Sequence, residues 1–500
     1  MSTGTIADDL RQRAGSDPQA TAVVAAGREV AYGELDRMAG GVAGGLHEHG
    51  VHRGDRVVMV LPNGLEAVAA IEGTLRSGAA LCPLNPSIKR DRLARVLRSV
   101  EPTVVLCDAE RAEVAESAAE LAGGILVDAE VAALAEGPER EPVRSLDSDL
   151  AAILHTSGST GGPKGVMHTH RNLTFATDSI NEYLKITPAD RILCLLQLSF
   201  GYGLSQLLCC MRAGATLVLE EGFAFPGRVV ELLTEQRITG LPGVPTIFTV
   251  LLSLRGLADR DLPDLRFITN AGAALPGPTQ AALRSTFPRA ELYAMYGQTE
   301  CIRVCYLPPE LAETHSASVG IAMPGTEAWI EDEGGNLLGP GESGELIVRG
   351  PHVMQGYWRD PEGTAERLRP GRWPWERVLA TNDLFRLDEE GLLHFVARRD
   401  DIIKSRGEKV VPREVEEVLL SAPGVREAAV VGVPDRLLGE AVRANVAPEE
   451  GAELEPAALK RHCAERLEDH MVPKEVMVHD QLPRTPNGKV DRQALIRDAG

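Results

Sequence analysis

Apolar positions along the chain recur with two different periods, one typical of strands and one typical of helices. Short β-branched runs at Ala22 to Ala26 and at Arg56 to Leu61 predict strands. The spacing of apolar residues from Tyr32 to His49 and from Leu65 to Ser77 predicts helices, each followed by a glycine suited to a helix end. Strands that alternate with helices favour a largely parallel sheet covered by helices, so the predicted fold class is α/β.

The pattern changes character toward the C-terminus. Gly137 to Asp149 is charged and contains two prolines, which predicts a surface connection. Runs at Gly344 to Arg349 and at Leu392 to Val396 predict strands of a β-rich part. We therefore expect a large N-terminal domain, residues 1–399, of covered sheets with this β-rich part. Residues 400–500 are predicted to form a small, mobile C-terminal α/β domain.

One apolar stretch, Ile192 to Met211, carries no charge and is long enough to span a bilayer. The segment Gly201-Tyr202-Gly203 interrupts it, and polar side chains are spread through it. These breaks favour a buried strand, a loop and the start of a buried helix. No membrane partner is expected.

Composition narrows the class of protein. The formal charge of −20 over 500 residues argues against non-specific nucleic-acid binding, which needs a basic face. The eight cysteines are scattered and form no CxxC pair, which disfavours zinc and thioredoxin-like sites. With no secretory leader in the first ten residues, the predicted location is the reducing cytoplasm.

A segment rich in glycine and hydroxyl residues follows the apolar run Leu150 to Leu154. It reads HTSGSTGGPKG from His155 to Gly165. Glycines let backbone N–H groups turn toward a polyanion, hydroxyls add donors, and Lys164 adds a positive charge. It is not a Walker A loop, because no Ser or Thr follows Lys164. The alternative is a flexible surface turn.

This segment resembles the signature of the AMP-forming ligases, the superfamily of acyl-CoA synthetases, adenylation domains and luciferases. Further motifs resemble that family in the same order: Tyr296-Gly-Gln-Thr-Glu300, Gly344-Glu-Leu with Gly356-Tyr-Trp, Thr381-Asn-Asp-Leu384, the hinge region Arg398 to Glu408, and the lysine motif Pro483 to Lys489. The resemblance covers nearly the whole chain. It implies two steps: a carboxylate attacks the α-phosphorus of ATP and pyrophosphate leaves, and a nucleophile then takes the acid from the adenylate.

The resemblance also implies the residues of the ATP site. Those expected at the nucleotide are Thr156, Ser157, Gly158, Ser159, Thr160, Gly161, Lys164, Gly272, Ala273, Tyr296, Asp383 and Arg398. The implied catalytic residues are Lys489, Glu300 and Thr299. Glu300 would hold Mg²⁺, Thr299 would donate to the α-phosphate, and Lys489 would bridge the attacking carboxylate and the ribose. Without the neighbouring motifs, Asp383 would be interpreted as a carboxylate that caps a turn and Lys489 as a solvated lysine.

For the second step the resemblance implies rotation of the C-terminal domain about Asp400. The residues that would then line a tunnel for the pantetheine thiol of coenzyme A are Ser405, Arg406, Gly407 and Glu408. From the residues alone, Gly407 is as easily an ordinary turn glycine.

The resemblance places an acid pocket at Phe200, Tyr202, Gly203, Val244, Asn270, Ala271, Gly297, Gln298 and Ile302. Core packing is the alternative for its aromatic members. A closer subgroup of bacterial ligases often has Asp at position 201, Leu at 298 and Lys at 302, and the usual glycine at 382 is asparagine here. Loss of a charged pair makes the pocket roomier and less charged, which predicts an aromatic or unsaturated acid.

Four functions remain open from the sequence. The first is an acyl- or aryl-CoA ligase that uses ATP, Mg²⁺ and coenzyme A on a small acid. The second keeps the adenylation but uses a nitrogen nucleophile, as in an amide-forming ligase or a diazotase that activates nitrite. The third loads a separate carrier protein, and the fourth is a catalytically inactive nucleotide-binding protein. Retention of all the ATP-site side chains together argues against the fourth.

Overall fold

The computed structural model describes residues 4–156, 164–258, 260–405, 408–435, 438–485 and 488–497. The chain packs as two compact units. The first comprises Met1–Ala328 and Val348–Ala380, and the second comprises Trp329–Ile347 and Thr381–Gly500. The predicted division into domains 1–399 and 400–500 stays a prediction.

The first unit contains two sheets. Within its described residues the larger sheet has nine strands, in the order Ile321–Ala322, Cys305–Tyr306, Glu291–Tyr296, Phe267–Asn270, Gly240–Gly243, Arg191–Cys194, Thr216–Leu219, Thr21–Ala25 and Arg28–Ala31. The other has seven, in the order Gly356–Tyr357, Gly165–Thr169, Leu150–His155, Ala80–Pro83, Arg56–Val60, Val104–Cys107 and Leu126–Asp128.

The interior strands of both sheets run parallel, as predicted, but antiparallel strands occur at the edges. Thr21–Ala25 turns back into Arg28–Ala31 through Ala26 and Gly27, which both have positive φ (49° and 77°). The predicted strand therefore ends one residue early, at Ala25, because a tight hairpin begins there.

The first unit contains both helices predicted from the apolar spacing, as Tyr32–Glu48 and Leu65–Arg76, together with others. Its helices are Asp9–Ser16, Tyr32–Glu48, Leu65–Arg76, Arg90–Val100, Ala112–Leu121, Val131–Glu136, His170–Leu184, Gly201–Ala213, Pro226–Glu235, Pro245–Leu252, Gly277–Thr286 and Pro361–Arg367. One apolar cluster contains Leu81 of the smaller sheet, Phe267 of the larger sheet, and side chains of helices Leu65–Arg76 and Gly201–Ala213. These two helices therefore pack in the layer between the sheets, which explains why every residue from Ala67 to Arg76 is buried.

The apolar stretch is resolved as predicted, with strand Arg191–Cys194, a loop, and helix Gly201–Ala213. None of the helices in the described residues combines the length and the apolar character needed to cross a bilayer. All eight cysteines are described, and each is a buried free thiol.

The second unit has its own sheet. The strands there are Ile403–Ser405, Glu408–Val410, Val425–Asp435, Gly439–Pro448 and Glu475–Val478, and the helices are Pro412–Leu420, Pro456–Ala464 and Arg492–Arg497. Strand Leu393–Arg398 pairs with the second half of Arg377–Leu387. Strands Glu327–Glu331, Ser343–Arg349 and Arg377–Leu387 have their residues divided between the two units. The predicted α/β class, with several sheets and a separate small C-terminal domain, is confirmed.

Burial of one carboxyl group gives the first unit a specific pH dependence. Glu72 lies on helix Leu65–Arg76 with 3% of its surface exposed, and its Oε1 has no hydrogen-bond partner among the described residues. Burial, and to a smaller extent the charges of Asp9 and Asp36, raise the pKa of Glu72 to about 8. A carboxyl group whose pKa is raised by folding stabilises the folded state below its unfolded pKa. That stabilisation is lost as the pH rises through the folded value.

We predict that Glu72→Gln removes a loss of stability that the unsubstituted protein shows between about pH 4.5 and pH 8. The amide keeps the shape of the carboxylic acid but cannot ionise, so the gain at high pH should be on the order of a few kcal/mol. Thermal or urea unfolding of both proteins at pH 5.5 and pH 8.5 measures it. Glu66→Gln, at an exposed position of the same helix, controls for loss of one negative charge. An equal difference between the two proteins at both pH values contradicts the prediction.

Candidate active site

Four neighbouring strands of the larger sheet lead into the segments predicted for the acid and for adenine. Arg191–Cys194, Gly240–Gly243, Phe267–Asn270 and Glu291–Tyr296 are adjacent and pair in parallel. Because the carboxyl ends of parallel strands meet at one edge of a sheet, these segments share that edge. The predicted residues that follow or end these strands are Phe200, Val244, Asn270, Ala271, Gly272, Ala273, Tyr296, Gly297 and Gln298.

Two polar side chains at this edge have well-defined partners. The Tyr202 hydroxyl lies 3.0 Å from the carbonyl oxygen of Thr269 and 2.8 Å from its Oγ1. Asn270 is buried and donates through Nδ2 to the Ala273 carbonyl oxygen at 2.9 Å. Its Oδ1 is also buried, and no described group donates to it. This edge therefore offers a hydrogen-bond acceptor that the protein itself leaves unused.

Two of the predicted pocket glycines are required by the backbone. A Cβ on Gly203 would lie 2.1 Å from the Gln197 carbonyl oxygen, and one on Gly297 would lie 2.5 Å from that of Ile302. Both contacts are with backbone atoms that cannot yield locally. This packing explains both glycines without a ligand, so their place in the pocket stays a prediction.

Positions 201 and 302 enclose free space. Together with Leu154 and Leu204 they line an apolar cavity of about 10 Å³. A Cβ on Gly201 would meet only Leu154 Cδ1, at 3.8 Å, an ordinary van der Waals distance, so a methyl group would fit there. Ile302 has φ +59°, a conformation that costs a β-branched residue about 1–3 kcal/mol. Gly201 and Ile302, which both differ from the residues of the bacterial subgroup, thus line the same apolar cavity.

The described ends of the phosphate loop are held close together. The Thr156 N–H donates to the Lys164 carbonyl oxygen at 3.1 Å, and His155 pairs with Gly165 across antiparallel strands. The predicted Ser157, Gly158, Ser159, Thr160 and Gly161 lie outside the described residues. Lys164 Nζ lies 3.5 Å from Asp360 Oδ2 and 4.7 Å from the centre of the Tyr357 ring.

Three hydrogen bonds fix the peptide that carries Thr299 and Glu300. His168 Nε2 lies 2.8 Å from the Thr299 carbonyl oxygen, and the Met354 N–H donates to the Glu300 carbonyl oxygen at 2.8 Å. The Tyr357 hydroxyl donates to Glu300 Oε1 at 2.7 Å. Burial lowers the pKa of His168 to about 4, so its ring is neutral near pH 7 and holds Thr299 as an Nε2–H donor.

The described residues contain no group of three or more His, Cys, Asp or Glu side chains that could hold a metal ion. The resemblance implies Glu300 as a protein ligand for Mg²⁺. One carboxylate combined with nucleotide phosphates is a donor set that suits Mg²⁺, which keeps several waters and binds few protein ligands.

In the second unit, three predicted residues come together. Asp383 pairs with Arg398 across two strands, and Arg398 Nε lies 3.7 Å from Asp383 Oδ1. Dehydration of its ammonium group and, to a smaller extent, repulsion by Arg398 lower the pKa of Lys489 to about 8, against the opposing charge of Asp383. Lys489 is exposed as a whole residue, so the dehydration is confined to the end of its side chain.

The asparagine that replaces glycine in the Thr381 to Leu384 motif has a clear backbone reason. Asn382 has φ +59°, and asparagine is one of the few residues with a side chain that adopts this conformation readily. Its N–H donates to Glu345 Oε1 at 2.9 Å. Strand Arg377–Leu387, which carries Asp383, therefore accommodates asparagine at this position.

The residues predicted for the second step are only partly described. Asp400 lies in the 3₁₀ turn Arg399–Asp401 and is exposed. Ser405 and Glu408 are partners across adjacent strands, and Ser405 is buried. Arg406 and Gly407 lie outside the described residues.

Four residues at the site were missed by the sequence analysis. Tyr357, Asp360 and His168 contact predicted residues directly, and Arg303 is buried with its guanidinium 5.1 Å from the Tyr202 ring centre. Only Tyr357 lies in a recognised motif, Gly356-Tyr-Trp, to which no role was assigned. The other three carry no local pattern that could have identified them.

Comparison with known proteins identifies the family to which the chain belongs. Residues 10–358 match the model of the AMP-binding enzyme family, and residues 414–489 match that of the AMP-binding enzyme C-terminal domain. The chain is 34% identical over 494 residues to a feruloyl-CoA synthase of Amycolatopsis, covering 98% of each chain.

Two solved structures are similar over nearly their whole length. ATP-bound MatB of Rhodopseudomonas palustris has a TM-score of 0.90 at 30% identity, with 99% of this chain and 98% of that chain covered. The amide bond synthetase McbA of Marinactinospora thermotolerans has a TM-score of 0.89 at 29% identity, with coverage of 99% and 100%. The family model and these relatives confirm the predicted chemistry: the chain belongs to the AMP-binding enzyme family and is an ATP-dependent, adenylate-forming acid ligase.

Proposed function

We propose that the protein activates an aromatic or unsaturated carboxylic acid as its acyl-AMP, with ATP and Mg²⁺, and passes the acyl group to the thiol of coenzyme A. The observation that carries this proposal is the edge formed by the four parallel strands. It combines the half-buried, mostly apolar side chains of Phe200, Tyr202 and Ile302 with the unused acceptor of Asn270. A flat apolar acid that bears one hydrogen-bond donor suits such a slot.

The first step brings two anions together, so cations and donors must offset the accumulating negative charge. In the proposed arrangement Lys164 binds the β- and γ-phosphates and Thr299 donates to the α-phosphate. Bound through Glu300, Mg²⁺ supplies further positive charge to the phosphates. Lys489 orients the attacking carboxylate, and Asp383 accepts from the ribose hydroxyls.

The similarity to an amide bond synthetase favours one second candidate, in which an amine takes the acyl group in place of the thiol. ATP–pyrophosphate exchange with a panel of acids, nitrite included, identifies the activated acid. Coenzyme A and amines are then added separately to the active mixtures. Thioester formation supports the proposal, and amide formation without thioester favours the second candidate.

We predict that Lys489→Ala abolishes acid-dependent pyrophosphate exchange but still converts a chemically made adenylate to product. A charge-assisted contact made mainly in the first transition state accounts for a drop of about 100-fold or more. Rates of the two half-reactions, measured separately, check this. Lys460→Ala, an exposed lysine of the same unit, is the matched control. Equal loss in both half-reactions would sink the idea that Lys489 acts only in adenylation.

Asp360 competes with ATP for Lys164, so Asp360→Asn should tighten ATP binding by up to about fivefold. Asparagine still accepts the Gly363 N–H bond that caps helix Pro361–Arg367 but removes the charge beside Lys164. The dissociation constant for ATP measures the effect, and Asp360→Ala, which also loses the cap, is the comparison. Weaker ATP binding by the asparagine variant would mean that Asp360 supports Lys164 rather than competing with the phosphates.

The acid pocket yields a prediction about substrate choice. An aromatic acid with a hydroxyl or amino group should react about 10- to 100-fold faster than its unsubstituted analogue, because a site built to hydrogen-bond a substrate group discriminates against its absence. With Gln298 as the second polar side chain that binds the hydroxyl or amino group, Gln298→Leu should erase that preference while leaving the KM for ATP unchanged. Specificity constants across the panel provide the measurement. Short aliphatic acids with the highest values would contradict an aromatic pocket.

A further inference from the structure

Tyr357 joins two residues of the proposed site that lie far apart in sequence. Its hydroxyl donates to Glu300 Oε1 at 2.7 Å, and Lys164 Nζ lies 4.7 Å from the centre of its ring. We propose that Tyr357 is a positioning residue, which orients Glu300 toward Mg²⁺ through its hydroxyl and Lys164 toward the ATP phosphates through its ring. This inference rests on the proposed roles of Glu300 and Lys164.

The backbone of Tyr357 is fixed to the strand that follows the phosphate loop. Tyr357 pairs with Val166 across antiparallel strands, and the Trp358 N–H donates to the Gly165 carbonyl oxygen at 2.7 Å. The Tyr357 N–H donates to Thr364 Oγ1 at 2.9 Å. With 4% of its surface exposed, the side chain has little freedom to leave this position. Its location relative to the phosphate loop is therefore set by main-chain hydrogen bonds.

The hydroxyl acts on one oxygen of the Glu300 carboxylate. Among the described residues, Tyr357 is the donor to this carboxylate; its hydrogen bond at Oε1 restrains rotation of the group and leaves Oε2 for a cation. Glu300 is 8% exposed, so water has little access to replace a lost donor. Removing groups that orient a metal-binding carboxylate typically lowers metal affinity by about 10- to 100-fold.

The ring acts on the ammonium group. Lys164 is a flexible side chain, and the ring face lies on one side of its Nζ, with Asp360 Oδ2 3.5 Å away. A Cβ at position 363 would lie 2.8 Å from Lys164 Nζ, so Gly363 keeps that place open. The attraction to the ring does not require the tyrosine hydroxyl, since phenylalanine also attracts a cation. The two effects of Tyr357 can therefore be separated by substitution.

The experiment is calorimetric titration of ATP, once with Mg²⁺ and once with excess chelator, so the readout is binding and not turnover. Tyr357→Phe should weaken binding about tenfold with Mg²⁺ and leave metal-free binding unchanged. Tyr357→Leu should weaken both. The matched control is Tyr293→Phe, which removes another buried hydroxyl that donates to a glutamate, Glu291, at 2.7 Å outside the proposed site. It should change neither.

Glu300→Gln separates this inference from the proposed function. If Glu300→Gln removes the effect of Mg²⁺ on ATP binding but Tyr357→Phe retains it, the role of Tyr357 is overturned and that of Glu300 stands. If Glu300→Gln leaves the Mg²⁺ effect intact, both roles are overturned. The double variant provides a test that is independent of general destabilisation. Tyr357→Phe should have no further influence on the Mg²⁺ effect once Glu300 is changed, and additive losses would count against the inference.

Discussion

Parallel pairing delivers the carboxyl ends of neighbouring strands to one edge of a sheet, and the first unit depends on that geometry. The strands ending at Cys194, Gly243, Asn270 and Tyr296 are adjacent in the sheet although about a hundred residues separate the first from the last. The loops that follow these strands are therefore brought together by the pairing of the strands themselves. Only the parallel core of this sheet is involved, because the antiparallel additions lie at its edges.

The buried polar groups near Glu300 comprise one carboxylate and several neutral side chains. A buried carboxylate is costly unless donors satisfy it, and Tyr357 supplies one donor without adding a charge. The nearby imidazoles of His168 and His352 are also buried, and dehydration lowers the pKa of both, so neither adds a positive charge near pH 7. Neither imidazole therefore offsets the negative charge of Glu300, which can attract a cation.

The regular elements and the order of the motifs could be predicted from the sequence because both are local. Hydrophobic spacing located helix Leu65–Arg76 to within one residue, and resemblance to the family's motifs pointed to Asp383, Arg398 and Lys489, which the second unit brings together. The contact between Tyr357 and Glu300 could not be predicted, since it depends on how a two-residue strand packs 57 positions away.

Backbone conformation explains other differences between motif and structure. The sequence identified Asn382 as a departure from glycine but could not say whether the backbone there accommodates asparagine, which depends on its positive φ. Conversely, Gly203 and Gly297 resemble pocket residues in sequence, while their close backbone contacts account for them equally well. A motif specifies residue types. Close packing of the main chain decides which of those residues have a structural explanation other than ligand binding.

The burial of all eight thiols has a practical consequence for watching this enzyme at work. Maleimide dyes react with accessible thiols, so the native cysteines should label slowly in the folded protein. One new cysteine at an exposed position of each unit, for example at Glu113 and Glu465, would then accept a donor and an acceptor fluorophore without removal of the native cysteines. Single-molecule energy transfer between such labels could follow the distance between the units through a catalytic cycle.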